Sequence, residues 1–212
     1  MHLPKQFAES DITVLHALIR AAPLGAWVTE ADGELEVNHI PFLLDAERGK
    51  FGVIAGHVAK ANPVWKSFSQ DMASVVIFQG PQTYITPSWY PSKAAHGKVV
   101  PTWNYAVVHA YGQPQAIHDP AWLLHHVSQQ VDLREKDQAH PWKVADAPPD
   151  YIDKMVGAIV GIEISIARLL GKWKVSQNRS QPDKLGTVAG LLNRNDDNAN
   201  AMAALVKTHV NV

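Results

Sequence analysis

The sequence predicts an α+β protein that is mainly β, an antiparallel barrel with peripheral helices. Three features carry this expectation. Short β-branched segments alternate with Gly and Pro turns along much of the chain. One pair of such segments flanks an Asp-Gly step, a strong local signal for a hairpin. The helical stretches are short, and several are bounded by proline. At 212 residues, 46% of them hydrophobic, the chain can bury one substantial core, so one main domain is expected.

Ser10 or Asp11 can cap a first helix whose apolar face is Ile12, Leu15, Leu18 and Ile19 and which Pro23 and Gly25 end. Residues 25–29 read as a strand, Asp32-Gly33 as a two-residue turn and 35–40 as the returning strand. Further strands are expected at 51–58, 74–79, 83–86, 105–111 and 159–170, with Gly80-Pro81 and Gly112-Gln113-Pro114 read as turns. Such segments favour a closed or partly closed barrel over a sandwich. A helix over 120–132 places Trp122, Leu123 and Val127 on its apolar side, and a helical turn over 151–155 follows Pro148 and Pro149. The chain ends with helices near 183–192 and 199–206, joined by an Asn- and Asp-rich loop over 193–200.

Composition excludes several kinds of chemistry. Nineteen Lys and Arg balance 20 Asp and Glu, so a net charge of -1 offers no whole-protein attraction to nucleic-acid phosphates, and any DNA contact needs a local basic patch. Cysteine is absent, which removes disulfides, thiolate metal sites and cysteine nucleophiles and fits a cytoplasmic location. The opening Met1 to Phe7 lacks the pattern of a secretory signal, and no apolar run approaches the ~20 residues of a membrane helix, so a soluble protein is expected. Eleven histidines include the adjacent pair His125 and His126, but no His-Glu-x-x-His pattern occurs and no metal site is expected. Gly-x-Ser-x-Gly, Gly-x-Gly-x-x-Gly and P-loop motifs are missing too, which disfavours hydrolase, dinucleotide and triphosphate chemistry.

Four clusters gather Trp, Asn, Lys and His around turns. Residues 56–66 hold His57, Lys60, Asn62 and Trp65; their Asn-Pro step opens a short helix, and the amides and lysines suit an anion or, equally, a capped turn. Residues 87–93 form a rigid aromatic loop ending in Lys93. Residues 100–105 alternate flat rings with hydrogen-bonding groups in Thr102, Trp103, Asn104 and Tyr105, a pattern fit for a flat heteroaromatic ligand or for a plain aromatic strand start. Residues 172–179 offer Lys172, Lys174, Ser176, Gln177, Asn178 and Arg179, the donor set of a phosphate dianion or of a solvated basic loop.

In order and spacing, these clusters resemble the PaiB-type FMN-binding negative transcriptional regulators. The resemblance rests on Leu3-Pro4 with Phe7 and Asp11, His39-Ile40-Pro41-Phe42-Leu43-Leu44, Gly56-His57-Val58-Ala59 with Asn62-Pro63, and Phe78-Gln79-Gly80-Pro81. It continues in Tyr84 to Tyr90, Pro101-Thr102-Trp103-Asn104-Tyr105, Glu135 with Pro141-Trp142, and Lys174-Val175-Ser176-Gln177-Asn178-Arg179. His2 stands where the family is associated with Tyr. The resemblance implies a split barrel similar to pyridoxamine 5'-phosphate oxidase over residues 1–180, a helical extension over 181–212 packed on it, and a homodimer with FMN near the subunit interface. It also implies that His39, His57, Lys60, Asn62 and Trp65 meet the flavin with Thr102 to Tyr105. Lys174 to Arg179, with the named donors among them, would support the phosphate side or the dimer contact, and Lys93 is a further cofactor-binding candidate. Asn62, Trp103 and Gln177 are then expected to converge. No catalytic residue is singled out.

Two functions stay open. The family name implies a repressor, yet the helix pair over 183–206 sets only Lys184, Arg194 and the following Lys207 against Asp183, Asp196 and Asp197, so direct sequence-specific DNA reading is not expected. The alternative is an FMN-dependent oxidoreductase acting on a small molecule, with His39, His57 or Tyr105 moving protons.

Overall fold

A computed structural model describes residues 1–69 and 73–210. Eight strands form one sheet in the order β3-β2-β6-β7-β8-β5-β4, with β1 added to β8. They are β1 (Ala8–Glu9), β2 (Leu24–Ala31), β3 (Glu34–Pro41), β4 (Leu43–Asp45), β5 (Val53–Ala59), β6 (Ser74–Ile85), β7 (Thr102–Ile117) and β8 (Ile159–Lys174). Seven α-helices accompany them among the described residues: α1 (Ile12–Ala21), α2 (Val64–Ser67), α3 (Pro91–His96), α4 (Pro120–Glu135), α5 (Pro149–Val156), α6 (Gln181–Arg194) and α7 (Asp197–Lys207). The chain divides into two compact units.

The first unit comprises Met1–Ala21, Gln79–Val108 and Leu170–Val212. The Asp11 carboxylate accepts the Thr13 amide at 2.8 Å and so starts α1, which buries Leu15, His16, Leu18 and Ile19. β1 lies antiparallel to the end of β8, Ala8 opposite Lys172. Asn195 closes α6 in the left-handed region, and the Asp196 carboxylate immediately caps α7. The two helices bury Val188, Leu191, Ala199, Met202, Ala203 and Val206. Trp89 lies on α6, so close that a Cβ on Gly190 would stand 2.2 Å from its ring.

The second unit comprises Ala22–Phe78 and His109–Leu169. Its β2–β3 hairpin has the expected register about Asp32 and Gly33, whose φ values of 53° and 85° are those the two-residue turn demands. Trp27 is fully buried with Phe68 edge-on at 6.2 Å, and β5 pairs with β8 from Val53–Ser165 to Ala59–Ile159. On the opposite face of the hairpin, Leu24, Leu35 and Val37 are 61%, 76% and 55% exposed. This apolar sheet face has no covering element among the described residues of the unit.

Three local expectations need correction. Gly80-Pro81 does not separate two strands, because β6 runs unbroken through it. Likewise β7 continues through Gly112-Gln113-Pro114. Both glycines answer a close neighbour: a Cβ would lie 2.8 Å from the Leu18 side chain at Gly80, and 2.2 Å from the Ser165 carbonyl oxygen at Gly112. The polar stretch 193–200 is mostly helical, since Asp196 is a helix cap and not mid-loop.

Candidate functional site

In the first unit, the start of β7 meets the end of β8. Strand alternation sends Asn104 inward and leaves Trp103 56% exposed. After Lys174 the chain turns sharply, with Ser176 in the left-handed region (φ 68°) and the Arg179 amide donating to the Ser176 carbonyl at 3.0 Å. The Asn104 amide donates to Ser176 Oγ at 2.9 Å, while Asn104 Oδ1 is buried without a partner. Lys174 Nζ donates to Thr102 Oγ1 and, at 2.6 Å, to the Trp103 carbonyl.

Thr102, Asn104, Lys174, Ser176, Asn178 and Arg179 line a small hollow of about 30 Å³. No carboxylate lines it. Burial lowers the Lys174 pKa, and the positive charges of Lys172 and Arg179 lower it further. Three cations held together in this way favour an anion, which would relieve their repulsion and accept their hydrogen bonds. Lys172 is almost fully buried, donating to the His2 carbonyl at 3.0 Å with its ammonium 5.4 Å from the Tyr105 ring centre. Arg179 lies over Tyr90 at 4.8 Å. Outside the hollow, Tyr84 and Trp103 meet edge-on at 6.2 Å and are 44% and 56% exposed, an apolar wall open to a flat ligand.

Two candidates in this unit have other partners. Gln177 stitches its own turn, accepting the Val175 amide at 2.8 Å and donating to the Trp173 carbonyl. Lys93 donates to Ser88 Oγ at 3.2 Å from α3, which Ser92 ties to the Asp183 carboxylate at 2.7 Å.

The second unit holds the other five candidates. His39 is exposed on β3, opposite Ala26. Asn62 donates to Asn38 Oδ1 at 2.7 Å and accepts the Val64 amide at 3.0 Å, so its amide starts α2 and fastens the turn to β3. Trp65 donates to the Lys60 carbonyl at 3.1 Å and meets His118 edge-on at 5.0 Å. His57 meets His126 edge-on at 5.5 Å, and Trp122 stacks on His126 at 5.1 Å. His57 Nδ1 and His126 Nε2 are buried without hydrogen-bond partners. Burial lowers both imidazole pKa values, that of His126 to about 4 with help from the His57 and His125 charges. The Lys60 ammonium has no partner among the described residues and borders a cleft of about 490 Å³ under α4 and α5.

Sequence reasoning gave no site role to Tyr84 or to Tyr90, although Tyr90 falls within the aromatic loop over 87–93. Lys172, the other lysine of the 172–179 cluster, shares a face of β8 with Lys174, since residues two apart on a strand point the same way. Tyr84 and Tyr90 gave no such local sign, because Trp103 and Arg179 reach them from distant strands and turns.

Residues 1–168 match the family model described as "Putative FMN-binding domain". An uncharacterised protein of Emericella nidulans is 35% identical, the match covering 98% of this chain and 96% of that one. The "Protease synthase and sporulation protein PAI 2" of Bacillus subtilis is 29% identical over 98% and 97% of the two chains. Among solved structures, the flavocytochrome Anf3 of Azotobacter vinelandii superposes with a TM-score of 0.58 at 16% identity, covering 81% of this chain and 72% of that one. An FAD and haem binding protein of Mycobacterium smegmatis superposes with a TM-score of 0.57 at 11% identity, covering 79% and 73%. These structural likenesses carry the split-barrel fold. No helix among the described residues is long and apolar enough to cross a membrane.

Proposed function

This chain belongs to the family of FMN-binding domains, and from that premise we propose that FMN is held in the first unit, its phosphate on Lys174 and Arg179 and its ring against Trp103. One observation carries this reading: Lys174 and Arg179 line a hollow that no carboxylate lines, with the charge of Lys172 acting on Lys174 from beside it and the Thr102 and Ser176 hydroxyls and the Asn178 amide as further donors. When bound, FMN supplies electron transfer at its ring. The chain binds and orients it: the cations and hydroxyls take the phosphate oxygens, and the exposed Trp103 and Tyr84 present an apolar surface to the ring.

The test compares FMN with riboflavin, which lacks the phosphate, by flavin fluorescence titration. Charge-assisted hydrogen bonds contribute about 1.5–3 kcal/mol each, so Lys174→Met and Arg179→Ala should each weaken FMN binding about ten- to a hundredfold. Riboflavin affinity should change little. Equal affinity of the native chain for FMN and riboflavin would refute the assignment.

The biological role we assign is that of a cytoplasmic negative regulator of transcription acting without direct sequence-specific DNA reading. In support, Arg194 is tied to Asp196 at 3.0 Å and to Thr83 at 2.6 Å, and Lys184 to the His209 carbonyl at 2.8 Å, which leaves Lys207 as the one untied cation of α6 and α7 among the described residues, too little for a basic recognition face. A mobility-shift assay at moderate salt with this protein alone should show no sequence preference. The open apolar face around Leu24, Leu35 and Val37 supports a homodimer, which sedimentation measures directly. A second reading, an FMN-dependent oxidoreductase acting on a small molecule, is favoured by the openness of the Trp103 wall; turnover of a reduced nicotinamide with added FMN would establish it.

A further inference from the structure

The cleft of the second unit has a composition that the flavin reading does not use. Its floor is apolar, made by the buried Leu123 and Val156 with the half-buried Ile159. At its rim stand the Lys60 ammonium, the His118 imidazole and the Asp153 carboxylate. Neither Lys60 nor Asp153 has a side-chain partner among the described residues, and the two do not pair with each other. Their backbones are fixed nonetheless. The Lys60 amide donates to the Ala158 carbonyl at 2.8 Å and its carbonyl accepts Trp65 Nε1 at 3.1 Å, while the Asp153 carbonyl accepts the Gly157 amide at 2.9 Å. His118 rests edge-on against Trp65. A volume of about 490 Å³ lies within the range of small-molecule sites.

We propose that this cleft binds a small zwitterion, an aminocarboxylate with an apolar body, whose carboxylate faces Lys60 and His118 and whose ammonium faces Asp153. The body covers Leu123, Val156 and Ile159, removing apolar surface from water. Both signs of charge are needed on the ligand. A plain carboxylate leaves Asp153 unanswered and repelled, and a plain amine does the same to Lys60, so the cleft discriminates against each.

The full chain, with and without FMN, is titrated calorimetrically with phenylalanine, 3-phenylpropionate and phenethylamine. Phenylalanine should bind at least tenfold tighter than the other two. Asp153→Asn should remove that preference over 3-phenylpropionate, and Ala121→Trp, which fills the mouth from an exposed helical position, should weaken all binding tenfold or more. Both variants should keep the FMN affinity of the native chain. Equal binding of the three ligands, no binding of any, or phenylalanine binding that survives Ala121→Trp overturns the proposal. Loss of FMN binding in Lys174→Met with the cleft unchanged concerns the flavin site alone, so the two readings fail separately.

Discussion

Acid should loosen the packing of α4 through one side chain, His126. It is buried, its Nε2 has no partner, Trp122 stacks on one face of its ring, and His57 stands edge-on to it. Its pKa falls from 6.5 to about 4, chiefly by burial and then by the neighbouring His57 and His125 charges. Above pH 6.5 both folded and unfolded chains carry a neutral imidazole, and His126 adds no pH dependence. Between pH 6.5 and 4 the unfolded chain takes up a proton that the folded chain refuses, so stability falls with pH across that window and levels off below it. The gap between 6.5 and about 4 corresponds to about 3 kcal/mol of lost stability at the acid end. Urea denaturation at intervals from pH 7.5 to 4 measures it, with His126→Phe as the reference because an aromatic ring keeps the stack on Trp122. Carboxylates common to both proteins cancel in the difference. The native chain should lose about 3 kcal/mol more than His126→Phe over that range, and parallel curves would refute the reasoning.

Other perturbations test the packing. Gly190→Ala sets a methyl 2.2 Å from the Trp89 ring and should destabilise the first unit by about 1–3 kcal/mol in thermal denaturation, with Trp89→Ala partly restoring the double variant. Arg48 binds Glu163 through two hydrogen bonds of 2.8 Å, but its side chain is 53% exposed, so Arg48→Met should cost about 1 kcal/mol or less and lose that effect in high salt. The proposed homodimer through the open face of the β2–β3 hairpin predicts that Val37→Asp leaves the melting temperature of the chain nearly unchanged while sedimentation shifts from dimer to monomer. A large fall in melting temperature with no change of mass would mean that the face belongs to the core of one chain.

The hairpin was legible in the sequence because its turn is a local matter: Asp32 and Gly33 adopt positive φ, and alternation on either side sets the register. The start of α1 was legible for the same reason, with Asp11 capping it. Gly80 and Gly112 misled because the reason for each glycine is a distant neighbour, Leu18 in one case and the Ser165 carbonyl in the other, and a turn signal looks the same on paper. The candidate site divides similarly. Lys174, Ser176 and Arg179 announced themselves as a phosphate-type donor set, and the structure brings them together with Thr102 and Asn104. Gln177 looked equivalent to its neighbours, but its amide closes the turn, a role that depends on backbone geometry and not on residue type. The partnership of His57 with His126 joins a strand to a helix far along the chain and had no local trace.

The left-handed backbone at Ser176 has a kinetic corollary. A non-glycine residue kept there is held by its surroundings, here by the Asn104 amide and by the Arg179 amide closing back on its carbonyl, so the berth is already shaped before any guest arrives. A rigid berth needs no slow rearrangement on capture. Capture of a nucleotide should therefore show no slow conformational phase, and a dephosphorylated analogue should leave sooner.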